Sequence, residues 1–353
     1  GLRTPVKDIE TIPPNVVSGG PDTLGKNVVY LTTDNGGTPK TKGVDYKGKA
    51  VLESSEGLTE TLDVDEIAVR GNSSADYAKK PYKVKFEDKQ KPFGMKSDRT
   101  WILLANYNDW TFIRSMFAWD LGKQFDGLQW TPRSTFAELF INGKYLGSYQ
   151  MVESIKIDSN RVPISKTEGQ VIEFDPHWKE DGVPGMVGRT GGYYGWKDPD
   201  EFKDGDEAEE GLTSEKIAKM KDKIKHFEYV LYGANNTKNW AKIDYENLAP
   251  EEDWTTYLDM NSAVDYYLTR EFTKDNDADM YRSNYFYVNN VDKASPDKFY
   301  MGPIWDFDRS AGAHPPSDTN IHLPTGWWMR GNGSKNHDTN KIHWYPRITD
   351  DPR

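Results

Sequence analysis

The sequence predicts an α+β fold, with antiparallel strands leading and helices gathered in the later part of the chain. Three observations predict it. Segments with the two-residue apolar period of strands, separated by turn residues, fill much of 47–105 and 136–152. Segments with the helical period fall mainly after residue 213. Aromatic residues make up 13% of the chain, with 12 Trp, 20 Tyr and 14 Phe. They can build a core even though apolar residues reach only 36%.

Taken in order, residues 1–45 are rich in Pro, Gly, Thr and Asp, with 28–31 as the one strand candidate, ended by Asp34-Asn35-Gly36-Gly37. Strands are expected at 50–53, 58–64 and 66–69. Tyr82, Val84 and Phe86 alternate with Lys83 and Lys85, the pattern of a half-buried strand. The unbroken apolar run 101–105 suits a central strand. Asp109 is placed to cap a helix over 111–125, which would turn Phe112, Met116, Trp119 and Leu121 to the core. Asn142-Gly143 between 136–141 and 145–152 is a strong hairpin signal. Residues 171–174 form a short strand. The Gly-rich, acidic stretch 178–211 is expected to be a long surface loop. Thr213 or Ser214 starts a helix to about residue 231. Asn261 or Ser262 starts another to about residue 273, with Val264, Tyr267, Leu268 and Phe272 as its core face. Strands 284–288 and 298–304 bracket a turn, and most of the chain after Ser310 reads as loop.

Composition removes several function classes. A net charge of −11 argues against nucleic acid or an anionic membrane as the main partner. No apolar run approaches the ~20 residues of a membrane span. With no Cys there is neither disulfide nor thiolate metal site. No signal peptide is visible, and a chain opening on Gly1 reads as a mature or excised product. The six His (His177, His226, His314, His322, His337 and His343) show no zinc-site spacing. No Gly-x-Ser-x-Gly elbow appears.

The chemistry concentrates in two acidic clusters. One is Asp275-Asn276-Asp277-Ala278-Asp279, with Asn284 following. The other is Trp305-Asp306-Phe307-Asp308. Carboxylates at the ends of two strands can converge, and converging carboxylates need a cation or a proton. Hard oxygen donors suit Mg²⁺, Mn²⁺ or Ca²⁺. This is the layout of phosphoryl transfer: Asp277 orients an acceptor hydroxyl, while Asp306, with Asn284 or Asp308, holds metal on a nucleotide. Asp277 and Asn284 stand further apart than their counterparts in ordinary protein kinases. An EF-hand fails, because Met280 replaces its Gly and Phe286 its closing Glu. Taken alone, Arg70-Gly71-Asn72-Ser73-Ser74 fits a hairpin turn better than a phosphate loop, and the lysines fit a solvated strand face as well as a nucleotide contact.

The order of motifs carries more than any one of them. Arg70-Gly71-Asn72-Ser73-Ser74 is followed by Lys79-Lys80-Pro81-Tyr82-Lys83-Val84-Lys85-Phe86. Then come Trp101-Ile102-Leu103-Leu104-Ala105-Asn106-Tyr107-Asn108-Asp109 and Phe140-Ile141-Asn142-Gly143-Lys144-Tyr145-Leu146-Gly147-Ser148-Tyr149 with Glu153. Trp305-Asp306-Phe307-Asp308 closes the series. Over about residues 60 to 350 the chain resembles the spore coat protein H (CotH) kinase family. The resemblance implies a bilobal, atypical protein-kinase-like fold with an antiparallel-sheet N-lobe, a mostly helical C-lobe and a cleft between them. The division expected is 1–58 as an N-terminal extension packing on the N-lobe, 59–155 as the nucleotide-binding N-lobe, and 156–353 as the catalytic C-lobe.

It also implies ATP with Mg²⁺ or Mn²⁺ as cofactors, Ca²⁺ being the alternative ion. Arg70, Asn72, Ser73, Lys80, Lys83, Lys85 and Glu153 are the nucleotide-binding candidates, with Lys83 favoured among the lysines and Glu138 or Glu153 as its partner. The acceptor would be a Ser or Thr of another protein. The chain would be a monomer, secreted or on the surface of a bacterial cell or spore; the sequon Asn72-Ser73-Ser74 inside the loop favours a bacterial source. The rival readings are a two-carboxylate glycoside hydrolase using Trp196, Trp327 and Trp328 as a sugar platform, and a Ca²⁺-stabilised module without activity. Trp344 and Tyr345 near a terminal Asp-Pro-Arg suggest further helix beyond residue 353 that would cover them.

Overall fold

The computed structural model describes residues 26–189, 191–199, 212–232, 253–278, 280, 282–291, 297–313, 325–327, 329 and 344–350. Two compact units emerge, one formed by residues up to Phe112 together with Arg133–Ser154, the other by Ile113–Pro132 and the chain from Ile155 onward.

The first unit is a closed barrel. Its strands are β1 (Val28–Thr33), β2 (Asp45–Ser54), β3 (Gly57–Leu58), β4 (Leu62–Val69), β5 (Tyr82–Gln90), β6 (Asp98–Leu104), β7 (Ser134–Ile141) and β8 (Lys144–Glu153). Neighbours run β1-β7-β8-β6-β5-β4-β2, and β1 pairs back onto β2, which closes seven strands; β3 is a short hairpin partner of β2. Only the β1–β7 pair is parallel. The alternation seen in the sequence fills the interior: Val29 and Leu31, Val64, Tyr82, Val84 and Phe86, Trp101 and Leu103, Leu139 and Ile141, Tyr149 and Met151 are all buried in one cluster. Closure needs Gly48. Any Cβ there would stand 2.0 Å from the Thr32 carbonyl oxygen, beside the irregular register between Tyr46 and Gly48. Thus β1 and β2, from the stretch expected to be an extension, are staves of the barrel itself.

The second unit contains α1 (Arg114–Gly122), β9 (Gln170–Phe174), β10 (Gly185–Val187), β11 (Tyr193–Asp198), α2 (Ser214–Tyr232), α3 (Met260–Thr273), β12 (Asn284–Val288), β13 (Tyr300–Met301) and α4 (Trp344–Asp350). Its five strands form one antiparallel sheet, β10-β11-β9-β12-β13. The expected bilobal kinase-like fold with a helical C-lobe is therefore wrong. The described chain is mostly β, a closed barrel plus a second sheet, with four α-helices. Part of the difference lies in 178–211, whose Gly and acidic content predicts a loop. In the structure β10 and β11 lie there, carrying Tyr194 and Trp196 into the core at 1% exposure each. Residues 200–211 lie outside the described residues.

Two helices also differ in detail. Asp109 caps a turn, accepting from the Thr111 N–H and hydroxyl. Phe112 then takes a positive φ of 64°, so α1 begins only at Arg114. On α3 the expected core face is inverted: Val264, Leu268 and Phe272 are exposed, while Ser262, Ala263, Tyr266, Thr269, Arg270 and Thr273 are buried. Trp344 and Tyr345 are buried. Trp344 packs against Phe174, Phe227, Phe286 and Phe299, and Tyr345 stacks on Tyr266 and donates to the Ala263 carbonyl.

Candidate active site

The inverted face of α3 exists to present Arg270. Asp259 caps the start of α3 by accepting from the Ser262 N–H, and Lys274 ends it in the left-handed region, its N–H returning to the Arg270 and Glu271 carbonyls. Arg270 is fully buried. It pairs with Asp275, equally buried, and donates to the carbonyls of Ser283 at 2.9 Å and Trp305 at 3.0 Å. The Tyr266 and Phe307 rings lie against its guanidinium. One side chain thus ties together the two acidic segments that the sequence separates by about thirty residues. From the other side, Trp119 of α1 stacks on Trp305 and donates to the Ile304 carbonyl.

Within this frame Asp277 is buried at 6% exposure. Its carboxyl is held above the ordinary range by burial and by Asp306, against the pull of Arg282, Arg309 and Arg270. Arg282 Nε lies 4.0 Å from it. Asp306 sits at a positive φ of 66°, with its carboxylate accepting from the Ser283 hydroxyl at 3.0 Å. Burial, Asp306 and Asp277 push Asp308 well up, with Arg309 opposing. These three carboxylates therefore feel one another directly. Among the described residues, five of the nine non-Gly residues with positive φ (Lys274, Met280, Ser283, Asp306 and Ala311) lie between 274 and 311. Backbone strain of this kind persists where surrounding structure enforces it.

Asn284 behaves differently from expectation. It is fully buried. Its oxygen accepts from the Tyr266 hydroxyl at 2.6 Å, and its amide donates to the carbonyls of Asp277 and Arg282 at 2.5 and 2.6 Å. Asn284 clamps the loop that carries Asp277. Asp279 lies outside the described residues. Arg270, Tyr266 and Ser283 were not singled out from sequence; the one available signal was a basic residue in the last turn of a helix that runs into an acidic loop.

The donor set fits a hard divalent cation. The oxygens are carboxylates, and their mutual repulsion is what a cation relieves. Among the described residues no three acidic or His side chains form a metal cage.

A family model described as CotH kinase protein matches residues 67–350, most of the chain. The chain belongs to the CotH kinase family. No curated protein matches it. The CotH match begins inside β4, so the first staves of the barrel precede it.

The first of the CotH motifs, Arg70-Gly71-Asn72-Ser73-Ser74, occupies the connection between β4 and β5, and the others of the barrel unit run along β5, β6 and the β7–β8 hairpin. Arg70 closes that connection through its N–H on the Pro81 carbonyl at 3.1 Å. Gly71 has φ +97°, and a Cβ there would meet the Ser74 hydroxyl at 2.1 Å. Asn72 and Ser73 are exposed, with the Asn72 oxygen accepting from Lys42 at 3.2 Å. Lys80 folds back to the Ala75 carbonyl at 2.7 Å. Lys83 and Lys85 point away from the barrel core, since Tyr82, Val84 and Phe86 fill it. Lys83 pairs with Glu66 at 3.0 Å, on the neighbouring strand. Glu153 is fully buried against Arg133 at 2.9 Å, and Glu138 accepts from Tyr145 and Ser148. Lys79, also in this connection, is half-buried. It donates to the Ala105 and Ser148 carbonyls, lies over the Phe112 and Tyr149 rings, and is pulled down to about 8 by burial, with Glu138 opposing. So engaged, Lys79 pins the barrel end.

For the rival platform of sugar-stacking Trp, Trp196 is unsuited, being 1% exposed; Trp328 lies outside the described residues, as do His314, His322, His337 and His343. No described helix is long and apolar enough to cross a membrane.

Proposed function

We propose that this CotH-family chain is a metal-dependent protein kinase that transfers the γ-phosphoryl of ATP to Ser or Thr hydroxyls of a protein at a bacterial cell or spore surface. The observation that carries it is the convergence of Asp277, Asp306 and Asp308, mutually repelling carboxylates brought together by Arg270. Bound Mg²⁺ or Mn²⁺ would neutralise charge on the phosphates. Asp306 and Asp308 would hold that ion. Asp277 would orient the acceptor hydroxyl and take its proton, a task its raised carboxyl suits, because a base works best when its pKa lies near the working pH. In the barrel unit, Arg70, Asn72, Ser73 and Lys80 on the β4–β5 connection are nucleotide-contacting candidates, with Lys83, Lys85 and Glu153 on its strands.

The test is a pair of variants. Asp306→Ala should lose metal-dependent nucleotide binding, whereas Asp277→Ala should retain it and lose turnover by about 10²-fold or more. Equal loss of binding in both would refute this division of roles, and wild-type protein that binds no nucleotide with metal would refute the kinase reading.

A further inference from the structure

We infer that Asn276 Oδ1 is the neutral ligand of the cation, filling the place that sequence spacing would give Asn284. The inference rests on the metal-dependent reading above. Asn276 is 8% exposed, and its oxygen is buried without any hydrogen-bond donor. Asn276 lies where the two acidic segments meet. Its Nδ2 donates to Asp277 Oδ1 at 3.5 Å, and its backbone N–H reaches the Arg309 carbonyl at 3.4 Å. The contact with Asp277 sets the amide's orientation, since exchanging its O and N would press oxygen against a carboxylate.

An acceptor left without a donor, next to carboxylates that already repel one another, is the reverse of what a folded protein tolerates. A hard cation shared with Asp306 and Asp308 resolves both problems, because amide and carboxylate oxygens are its normal ligands. Asn284 is spoken for, with its oxygen on Tyr266 and its amide on two backbone carbonyls. Asn276 lies in the same short turn as Asp277, so the residue that orients the acceptor and the residue that holds the ion would be covalent neighbours.

The experiment follows protein-bound Mn²⁺ by electron paramagnetic resonance in the presence of a non-hydrolysable ATP analogue, with circular dichroism and melting recorded on each sample. Asn276→Ala should weaken Mn²⁺ binding by about 10- to 100-fold while keeping the wild-type spectrum. Asn276→Asp keeps the side chain's size and adds a charged oxygen. It should bind Mn²⁺ more tightly than wild type and melt lower without metal. Unchanged Mn²⁺ affinity in a folded Asn276→Ala overturns the inference alone. Should that variant not fold, weaker Mn²⁺ binding by Asn276→Asp overturns it. Wild-type protein that binds no Mn²⁺ overturns both the inference and the reading beneath it.

Discussion

Arg270 and Asp275 pair with no exposure to water on either side. Removing one partner strands the other's charge in the interior. Arg270→Ala or Asp275→Ala should therefore cost about 3–5 kcal/mol, measured by chemical denaturation. The double variant Arg270→Met with Asp275→Leu, which removes both charges, should recover much of that stability without recovering activity, because the Ser283 and Trp305 carbonyls would lose their shared donor. Asp308 gives a pH signature. Its folded carboxyl is raised by burial, Asp306 and Asp277, so the folded state favours the protonated form. That contribution is complete below the ordinary carboxylate range of about 4 and is lost as pH climbs through the raised value. Without metal, Asp308→Asn should melt above wild type at pH 8, and the gap should close as pH falls toward that range. A constant gap at all pH values would show that the difference lies in packing.

At the scale of the element, β2 depends on one glycine. Gly48→Ala places a methyl group against the Thr32 carbonyl in the pair that closes the barrel. It should destabilise by about 1–3 kcal/mol, whereas Gly57→Ala meets no neighbouring atom and carries only the strain of its positive φ. Comparative melting of the two variants separates a clash from strain. Strands were legible where alternation was clean, as in β5, or where a turn residue set the register, as Asn142-Gly143 did for β7 and β8. The start of α2 was legible from Thr213, whose hydroxyl accepts from the Lys216 N–H, whereas α3 begins earlier than Asn261 or Ser262, capped by Asp259. Barrel closure was not, because a parallel β1–β7 pair leaves no local trace. The buried face of α3 was misread for a chemical reason: apolar residues normally mark the core, but here a buried Arg, two Thr and a Tyr do, since the helix is built to organise a polar loop. Asp277, Asp306 and Asp308 stand out in the sequence as members of two acidic clusters at strand ends; the residues that hold them needed coordinates, being backbone-directed contacts that no spacing rule encodes.

At the scale of the whole molecule, each unit has its own core, so unfolding should not be two-state. Calorimetry should resolve two transitions, with Gly48→Ala lowering one and Mn²⁺ raising the other, and Asp306→Ala abolishing the Mn²⁺ effect. A single transition that moves under both perturbations would show that the units unfold together. Ligand that binds only the folded state stabilises it by mass action, about 2.7 kcal/mol at a hundred times its dissociation constant.

Trp344 sets a timetable for the nascent chain. The barrel's last stave ends at Glu153, so a ribosome that has released those residues has released every strand the barrel needs. The second unit waits far longer. Its aromatic centre, from Phe174 and Tyr194 to Phe286 and Phe299, receives Trp344 from a point 150 residues downstream of Tyr194. Until that indole emerges, the sheet beside the acidic loop lacks its central filling. A barrel already folded while its companion stays open is the expected state during translation, and a ribosome stalled before codon 344 would display a closed first unit and no settled acidic loop.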